Sequence, residues 1–200
     1  MFFVIGLGNP ESRYSETRHN IGFRVADHLA AELHLSFRPG RGEYLIAKGV
    51  AENKPIALVK PLTYMNESGV AVMELREQFD APLDHLLVVC DDFQIPLGQL
   101  RLRLRGTDGG HNGLYSIIYQ LQSDEFARLR CGIGSSAMPK EKNRMADFVL
   151  EEFTTDEHAI VERMIKRAGE ACLLAHSKDM AMAMNIFNKR EDSELDSSTT

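Results

Sequence analysis

In Leu86-Leu87-Val88-Val89-Cys90-Asp91-Asp92, five apolar residues run together with neither helical nor alternating period and then give way to two carboxylates. Such a run suits a strand covered on both faces, as in the middle of an α/β sheet. Here it is expected to end at Asp91-Asp92. Residues 2–7 form a second apolar run, ending in Gly6-Leu7-Gly8-Asn9-Pro10, which predicts a buried strand followed by a loop. Between these strands the period changes. Ile21, Val25, Leu29 and Leu33 stand at helical spacing over 21–33, and residues 44–50 and 55–59 flank Glu52-Asn53-Lys54 as a hairpin would. Residues 66–79 read as a helix with Val70, Met73 and Phe79 directed inward. Residues 112–121 predict a helix and 129–133 a strand. A long helix over 155–175 is capped by Thr155, with Glu157 and Glu162 in its early turns, and 179–187 adds a short helix. Strands alternating with helices predict one α/β domain over residues 1–188, a twisted, mostly parallel (mixed) β-sheet with helices on both faces. Residues 189–200 are polar and acidic and read as a disordered tail.

Two hundred residues are enough for one domain that buries most of its apolar surface. A hydrophobic content of 44% with 26% charged residues belongs to an ordinary globular chain. No apolar run approaches the roughly 20 residues that span a bilayer, and Met1-Phe2-Phe3-Val4-Ile5 lacks the basic flank of a signal peptide. A cytoplasmic protein with no membrane partner is therefore expected. Cys90, Cys131 and Cys172 are odd in number and widely spaced, which suits reduced core thiols better than a disulfide framework or a zinc site.

The net charge of −6 argues at first against a nucleic-acid partner. Its distribution reverses the argument, because residues 96–145 carry 8 Lys and Arg against 4 Asp and Glu while the chain on either side is acidic. Screening over about 8 to 10 Å hides those distant acidic regions from a phosphate held at the basic segment. Within that segment, Leu100-Arg101-Leu102-Arg103-Leu104-Arg105 alternates throughout. A strand there would put all three arginines on one face as a basic ridge and pack the leucines on the other.

Gly109-Gly110-His111-Asn112-Gly113 follows the ridge. Three glycines in five residues point to backbone at positive φ or in close approach to a ligand, presenting His111 and Asn112. The plainer alternative is a turn into a helix with Asn112 as N-cap and His111 solvated. His19 lies in the polar loop Tyr14-Ser15-Glu16-Thr17-Arg18-His19-Asn20. A carboxylate at Asp91 would accept from one of its ring nitrogens, fix the tautomer and free the other as a general base. Alternatively, Asp91 caps a turn. The sequence contains no Gly-x-Ser-x-Gly elbow, and its cysteines fall within apolar strands, so water is the simplest nucleophile. It also lacks His-x-x-x-His and Cys-x-x-Cys; an ion would have to gather His19, Asp91, Asp92 and His111. Asn9, Asn66 and Asn112 supply neutral donors and acceptors for a carbonyl and a water. A positioned base contributes about 10² to 10⁴ in rate and an oxyanion donor about 10² to 10³, enough for an activated ester.

Five motifs in order then resemble the bacterial-type peptidyl-tRNA hydrolases. They are Gly6-Leu7-Gly8-Asn9-Pro10 with Tyr14 and Thr17-Arg18-His19-Asn20; Lys60-Pro61-Leu62-Thr63-Tyr64-Met65-Asn66 with Ser68-Gly69; Asp91-Asp92 with Pro96-Leu97-Gly98; Gly109-Gly110-His111-Asn112-Gly113-Leu114; and Arg128-Leu129-Arg130-Cys131-Gly132-Ile133-Gly134. They span residues 3–153. Each is weak alone, whereas all five in order are specific. The resemblance implies hydrolysis of the ester joining a peptide to the 3′ ribose of tRNA, without a cofactor or metal, by a monomer that recycles tRNA after premature release from ribosomes. It implies His19 as the base on water, Asp91 as its orienting partner and Asn9 at the reacting carbonyl. Tyr14, Met65, Asn66, His111 and Asn112 are implied to bind substrate and water, and Arg103 and Arg130 to clamp the tRNA 5′ phosphate.

The chain departs from the family pattern at Glu11, where glycine is frequent, and at Gln94, where aspartate is common; lysine also occurs at Arg101 and Arg103. Two rival classes compete. A dinucleotide-binding oxidoreductase would use Gly6-x-Gly8, but Glu11 stands where its third glycine is needed. A non-catalytic RNA-binding module would need the ridge but not His19 or Asp91, and no exposed aromatic platform for stacking bases is expected.

Overall fold

Seven strands, β1 (Phe2–Gly6), β2 (Arg38–Pro39), β3 (Tyr44–Ala51), β4 (Lys54–Pro61), β5 (Leu86–Pro96), β6 (Leu100–Arg103) and β7 (Ala127–Gly134), form one sheet in the order β2-β3-β4-β1-β5-β7-β6. The computed structural model describes residues 1–189 apart from 137, 140, 142 and 143. The expected tail beyond Lys189 lies outside the described residues. Strands β4, β1, β5 and β7 run parallel, while β2, β3 and β6 pair antiparallel at the two edges. The expected mixed sheet is thus parallel at its centre. Between β3 and β4, Glu52 and Asn53 both take positive φ, the backbone of a two-residue hairpin turn that follows the twist of the strands.

Helices cover both faces. Against one face lie α1 (Ile21–Glu32) and α5 (Thr155–Ser177), where Val25, Leu29, Met164 and Ala168 pack on Val4, Leu87 and Val89. Against the other lie α2 (Ser68–Phe79) and α3 (Asn112–Leu121), where Val72, Leu75, Leu114 and Ile117 pack on Ile5, Val88 and Cys90. Two shorter helices, α4 (Met145–Leu150) and α6 (Met180–Phe187), complete the order. Alternate residues of β1 and β5 therefore enter different cores, which is why neither strand shows polar alternation.

Several elements differ from the sequence expectation, each for a local reason. Strand β5 continues through Asp91 and Asp92, which pair with Cys131 and Gly132 of β7 before the register shifts ahead of Pro96. Ladder pairing from a buried neighbour outweighs the low strand propensity of aspartate. A 3₁₀ turn over Met65–Glu67 precedes α2, and its buried face is Ala71, Val72 and Leu75, with Val70, Met73 and Phe79 only half-buried at its margin. The long helix is capped by Thr154 rather than Thr155, in a reciprocal capping box with Glu157. Strand β6 stops at Arg103, leaving Leu104 56% exposed and Arg105 outside the strand, so the basic ridge holds only Arg101 and Arg103.

Helix α1 meets the sheet by direct backbone contact. A Cβ added at Gly22 would lie 2.4 Å from the Val89 carbonyl oxygen and 2.5 Å from the Leu7 nitrogen. Only a glycine lets the first turn of α1, and the loop before it, approach β1 and β5 this closely. Gly22→Ala is expected to destabilise the protein by about 1–3 kcal/mol, because backbone rather than a mobile side chain must move. Urea unfolding measures this, and a wild-type midpoint would contradict the packing.

Candidate functional site

Asp91 projects from β5 with its side chain 1% exposed, and one of its oxygens is shared by two histidines. Oδ1 lies 2.7 Å from His19 Nδ1 and 2.9 Å from His111 Nε2. The tautomers follow from the remaining partners. His111 Nδ1 accepts from the backbone N–H groups of Gly113, at 3.1 Å, and Leu114, at 3.2 Å, so the His111 proton sits on Nε2 and is donated to Asp91. The ionised carboxylate is acceptor-only, so His19 donates from Nδ1. This leaves His19 Nε2 with its lone pair and no hydrogen-bond partner among the described residues. His111 is therefore the N-cap of α3, occupying two otherwise unpaired helix donors, and Asn112 is the exposed first helical residue.

The electrostatics follow from this sharing. Burial pushes the His19 pKa down, but the charge and hydrogen bond of Asp91 outweigh burial and hold it above the ordinary 6.5. Burial likewise favours the neutral form of Asp91, yet the two histidines, His19 foremost, hold its carboxyl well below the usual range. The site is thus poised with Asp91 ionised. Cys90, Cys131 and Cys172 are free and buried, and burial pushes their thiols up, which removes them as nucleophiles.

Four segments hold this arrangement. The Asn20 side chain, in the 3₁₀ turn Arg18–Asn20 ahead of α1, accepts from the Asn9 N–H and donates to the Asn9 carbonyl, both at 2.9 Å. Asn9 in turn accepts the Met65 N–H on its own Oδ1 at 2.9 Å, and its Nδ2 has no hydrogen-bond partner among the described residues. Gly113 completes the junction, because a Cβ there would sit 2.6 Å from Met65 Sδ and 2.9 Å from Leu7 Cδ1. Gly109 and Gly110 take φ of +62° and +86°, so the positive-φ backbone expected of the glycine-rich stretch occurs within it.

Two buried arginines underlie the site and were not among the sequence candidates. The Arg18 guanidinium lies between the rings of Phe148 and Phe153, 4.6 and 4.7 Å from their centroids, and pairs with Glu157 at 2.7 Å. It ties the turn carrying His19 to α4 and to the start of α5. Arg128 donates to the carbonyls of Gly106, Thr107, Asp124 and Phe126 and so fixes the loop ahead of Gly109. An arginine beside an apolar run reads as surface charge in sequence; only the tertiary partners reveal it as an internal strut.

His19, Asp91, His111, Asn112 and Arg130 line one cavity of about 150 Å³, with Asp108, Gly109 and Gly110 on one wall and Met145, Ala146 and Val149 of α4 on another. Asn9 lines a neighbouring groove and is joined to the cluster through Met65 and Gly113. Asn66 is exposed, and Tyr14 is half-buried with Arg13 stacked 4.7 Å above its ring; neither lines the cavity. Arg130 donates to Asp92 at 3.2 Å and to the Thr107 carbonyl at 2.7 Å, whereas Arg103 is exposed on the edge strand. The ligand atoms of His19, Asp91 and His111 lie within 4.8 Å of one another and are paired here by hydrogen bonds of 2.7 and 2.9 Å, while Asp92 is paired with Arg130.

Fold and site together define the class: an α/β protein carrying a histidine–carboxylate pair suited to hydrolysis. The family described as peptidyl-tRNA hydrolase matches residues 3–195, well past the last motif quoted above. The peptidyl-tRNA hydrolase of Chlorobium luteolum is 46% identical over 94% of this chain and 98% of its own, and that of Chloroflexus aggregans 45% identical over 94% and 99%. The crystal structure of the Acinetobacter baumannii peptidyl-tRNA hydrolase superposes with a TM-score of 0.88 at 31% identity, covering 94% of each chain. A uridine phosphorylase from Vibrio fischeri, at a TM-score of 0.53 and 13% identity, shares the fold alone. The chain belongs to the peptidyl-tRNA hydrolase family.

Nitrogen-detected NMR of the imidazoles tests the tautomers. His19 is expected protonated on Nδ1 and His111 on Nε2, with the His19 titration midpoint above 6.5 and lowered in Asp91→Asn. An unchanged midpoint in that variant would contradict the sharing of Asp91.

Proposed function

We propose that the chain hydrolyses the ester joining a peptide to the 3′ ribose of tRNA, with His19 as general base. The observation that carries this reading is the 2.7 Å contact of Asp91 with His19 Nδ1, which leaves Nε2 unpaired beside the cavity. In the forward step, Nε2 takes a proton from water as its oxygen attacks the ester carbonyl. The tetrahedral intermediate then collapses, the bond between carbonyl carbon and ribose oxygen breaks, and that oxygen leaves with the proton from Nε2. Asp91 keeps its charge throughout and stabilises the imidazolium between the two transfers.

Asn9 is assigned to the developing oxyanion. Its Oδ1 is occupied by the Met65 N–H, so the side chain presents a donor of fixed sense from Nδ2. Asn112 and Asn66 bind substrate and water from exposed positions, Met65 and Tyr14 flank the acyl group, and His111 works through Asp91 because both its nitrogens are occupied. Arg103 and Arg130 are assigned to the 5′ phosphate. Arg103 is the freer of the two, since Arg130 also braces Asp92 and the loop at Thr107. The enzyme acts in the cytoplasm as a monomer and returns tRNA to translation; among the described residues no helix is long and apolar enough to cross a membrane.

The test is cleavage of an N-acetyl-aminoacyl-tRNA beside the free aminoacyl-tRNA, with and without a chelator. Cleavage of the blocked ester that ignores the chelator is expected. His19→Ala should lower kcat by at least about 10²-fold while leaving tRNA affinity within a small factor, as loss of a general base requires. Undiminished turnover in that variant would sink the assignment.

A further inference from the structure

No aromatic platform for stacking bases was expected from the sequence, yet the structure carries one. Tyr115 and Tyr119, one turn apart on α3, are 60% and 62% exposed, with rings 6.4 Å apart at the centroids and inclined by only 21°. Two large rings side by side and mostly in solvent contribute little to the core of α3, whose buried contacts are made by Leu114 and Ile117. They border an open groove of about 490 Å³ between α3 and the segment from Thr107 to Asp108. Asp108 lines this groove and also the cavity that holds His19. The two spaces are therefore neighbours across Asp108. The backbone joins them as well, because the Tyr115 N–H bonds the His111 carbonyl at 2.9 Å.

We propose that the Tyr115–Tyr119 ladder is a stacking site for the unpaired nucleotides next to the reacting 3′ end of the RNA substrate. The proposal rests on the reading of the chain as a peptidyl-tRNA hydrolase. When the terminal ribose ester lies at His19, the preceding nucleotides must leave the cavity along some wall, and the groove on the other side of Asp108 adjoins one of them. Aromatic rings bind bases through their π-faces irrespective of base identity, which suits an enzyme that must accept the shared terminus of many RNAs. Charge sets the orientation. Asp108 and Asp124 line the groove and repel phosphates, while the exposed Arg103 and Arg105, the latter paired with Glu125 next to Asp124 in the chain, offer cations outside its lining. Bases face the tyrosines and the phosphodiester chain runs along the basic edge.

The experiment compares wild type, the double variant Tyr115→Ala with Tyr119→Ala, and the double variant Tyr115→Phe with Tyr119→Phe, on two substrates. One is N-acetyl-aminoacyl-tRNA; the other is N-acetyl-aminoacyl-adenosine, which has no preceding nucleotides. Alanine at exposed helix positions preserves the fold. On the tRNA, the alanine pair should raise KM at least about 5-fold, the lower end of stacking losses, with kcat unchanged. The phenylalanine pair keeps the π-faces and should retain the wild-type KM. On the adenosine ester all three proteins should be equal. A wild-type KM for the alanine pair on tRNA would overturn the proposal and leave the tyrosines as a contact for something other than RNA. So would an equal loss in the phenylalanine pair, or in the alanine pair on the adenosine ester. Failure of the wild type to cleave either ester would overturn the underlying functional reading instead, and with it the ladder.

Discussion

A single carboxylate oxygen organises this molecule's chemistry. Asp91 Oδ1 accepts from His19 and from His111 within 2.9 Å, deep enough that water cannot substitute for either donor. Burying an ionised carboxylate is costly unless the charge is met by hydrogen bonds, so the pair of donors is a condition of the strand passing where it does. The condition also runs outward. His111 can donate from Nε2 only because the first free N–H groups of α3 occupy its Nδ1, so the position of a helix fixes the tautomer of one histidine. Asp91 ionised, in turn, fixes the other.

This explains why elements distant in sequence are fastened so tightly. Gly22 lets α1 touch the backbone just past β1 and within β5, Asn20 clasps Asn9, and Gly113 admits the Met65 sulfur beside α3. Arg18, buried between two phenylalanines, secures the residue next to His19 to α4, which walls the cavity, and to the start of α5. A general base gains its advantage only when its lone pair is held where water and ester meet, and in the proposed role of His19 these contacts fix the turn that carries it. The hydrogen-bonded frame also supports a division of labour among the asparagines. Asn20 is structural, Asn9 has one amide end committed and one free, and Asn112 is exposed at the cavity.

Much of this was legible in the sequence, because it depends on patterns that local physics imposes. Continuous apolar runs placed β1 and β5 at the centre, helical spacing found α1, and the glycine-rich stretch marked backbone at positive φ. For Asp91 the residues left two readings open, partner of His19 or cap of a turn, and the family resemblance favoured the first, which the 2.7 Å contact bears out. What stayed hidden depends on partners that no local pattern encodes. Asp91 and Asp92 remain in β5 because β7 pairs with them, a long-range ladder that propensity cannot anticipate. His111 read as a presented side chain and proved to be a helix cap, since a cap is defined by the N–H groups it meets. Leu104 fits the alternation of β6 yet faces solvent, because the strand has already left the sheet. Tyr115 and Tyr119 sit at a spacing common to core and surface alike, and only the packing of α3 shows them exposed.

The central claim is that Asp91 holds His19 in the base-competent tautomer and sets its proton affinity. The most direct measurement is the pH dependence of kcat/KM for an N-acetyl-aminoacyl-tRNA in wild type and Asp91→Asn. A base must be neutral, so activity should fall with decreasing pH through the His19 pKa, with a wild-type midpoint above 6.5 because Asp91 favours the charged imidazole. Removing that charge should shift the acid limb to lower pH and depress the plateau by at least about 10²-fold. An acid limb at the same midpoint in both proteins, or a plateau unchanged by the substitution, would contradict the account.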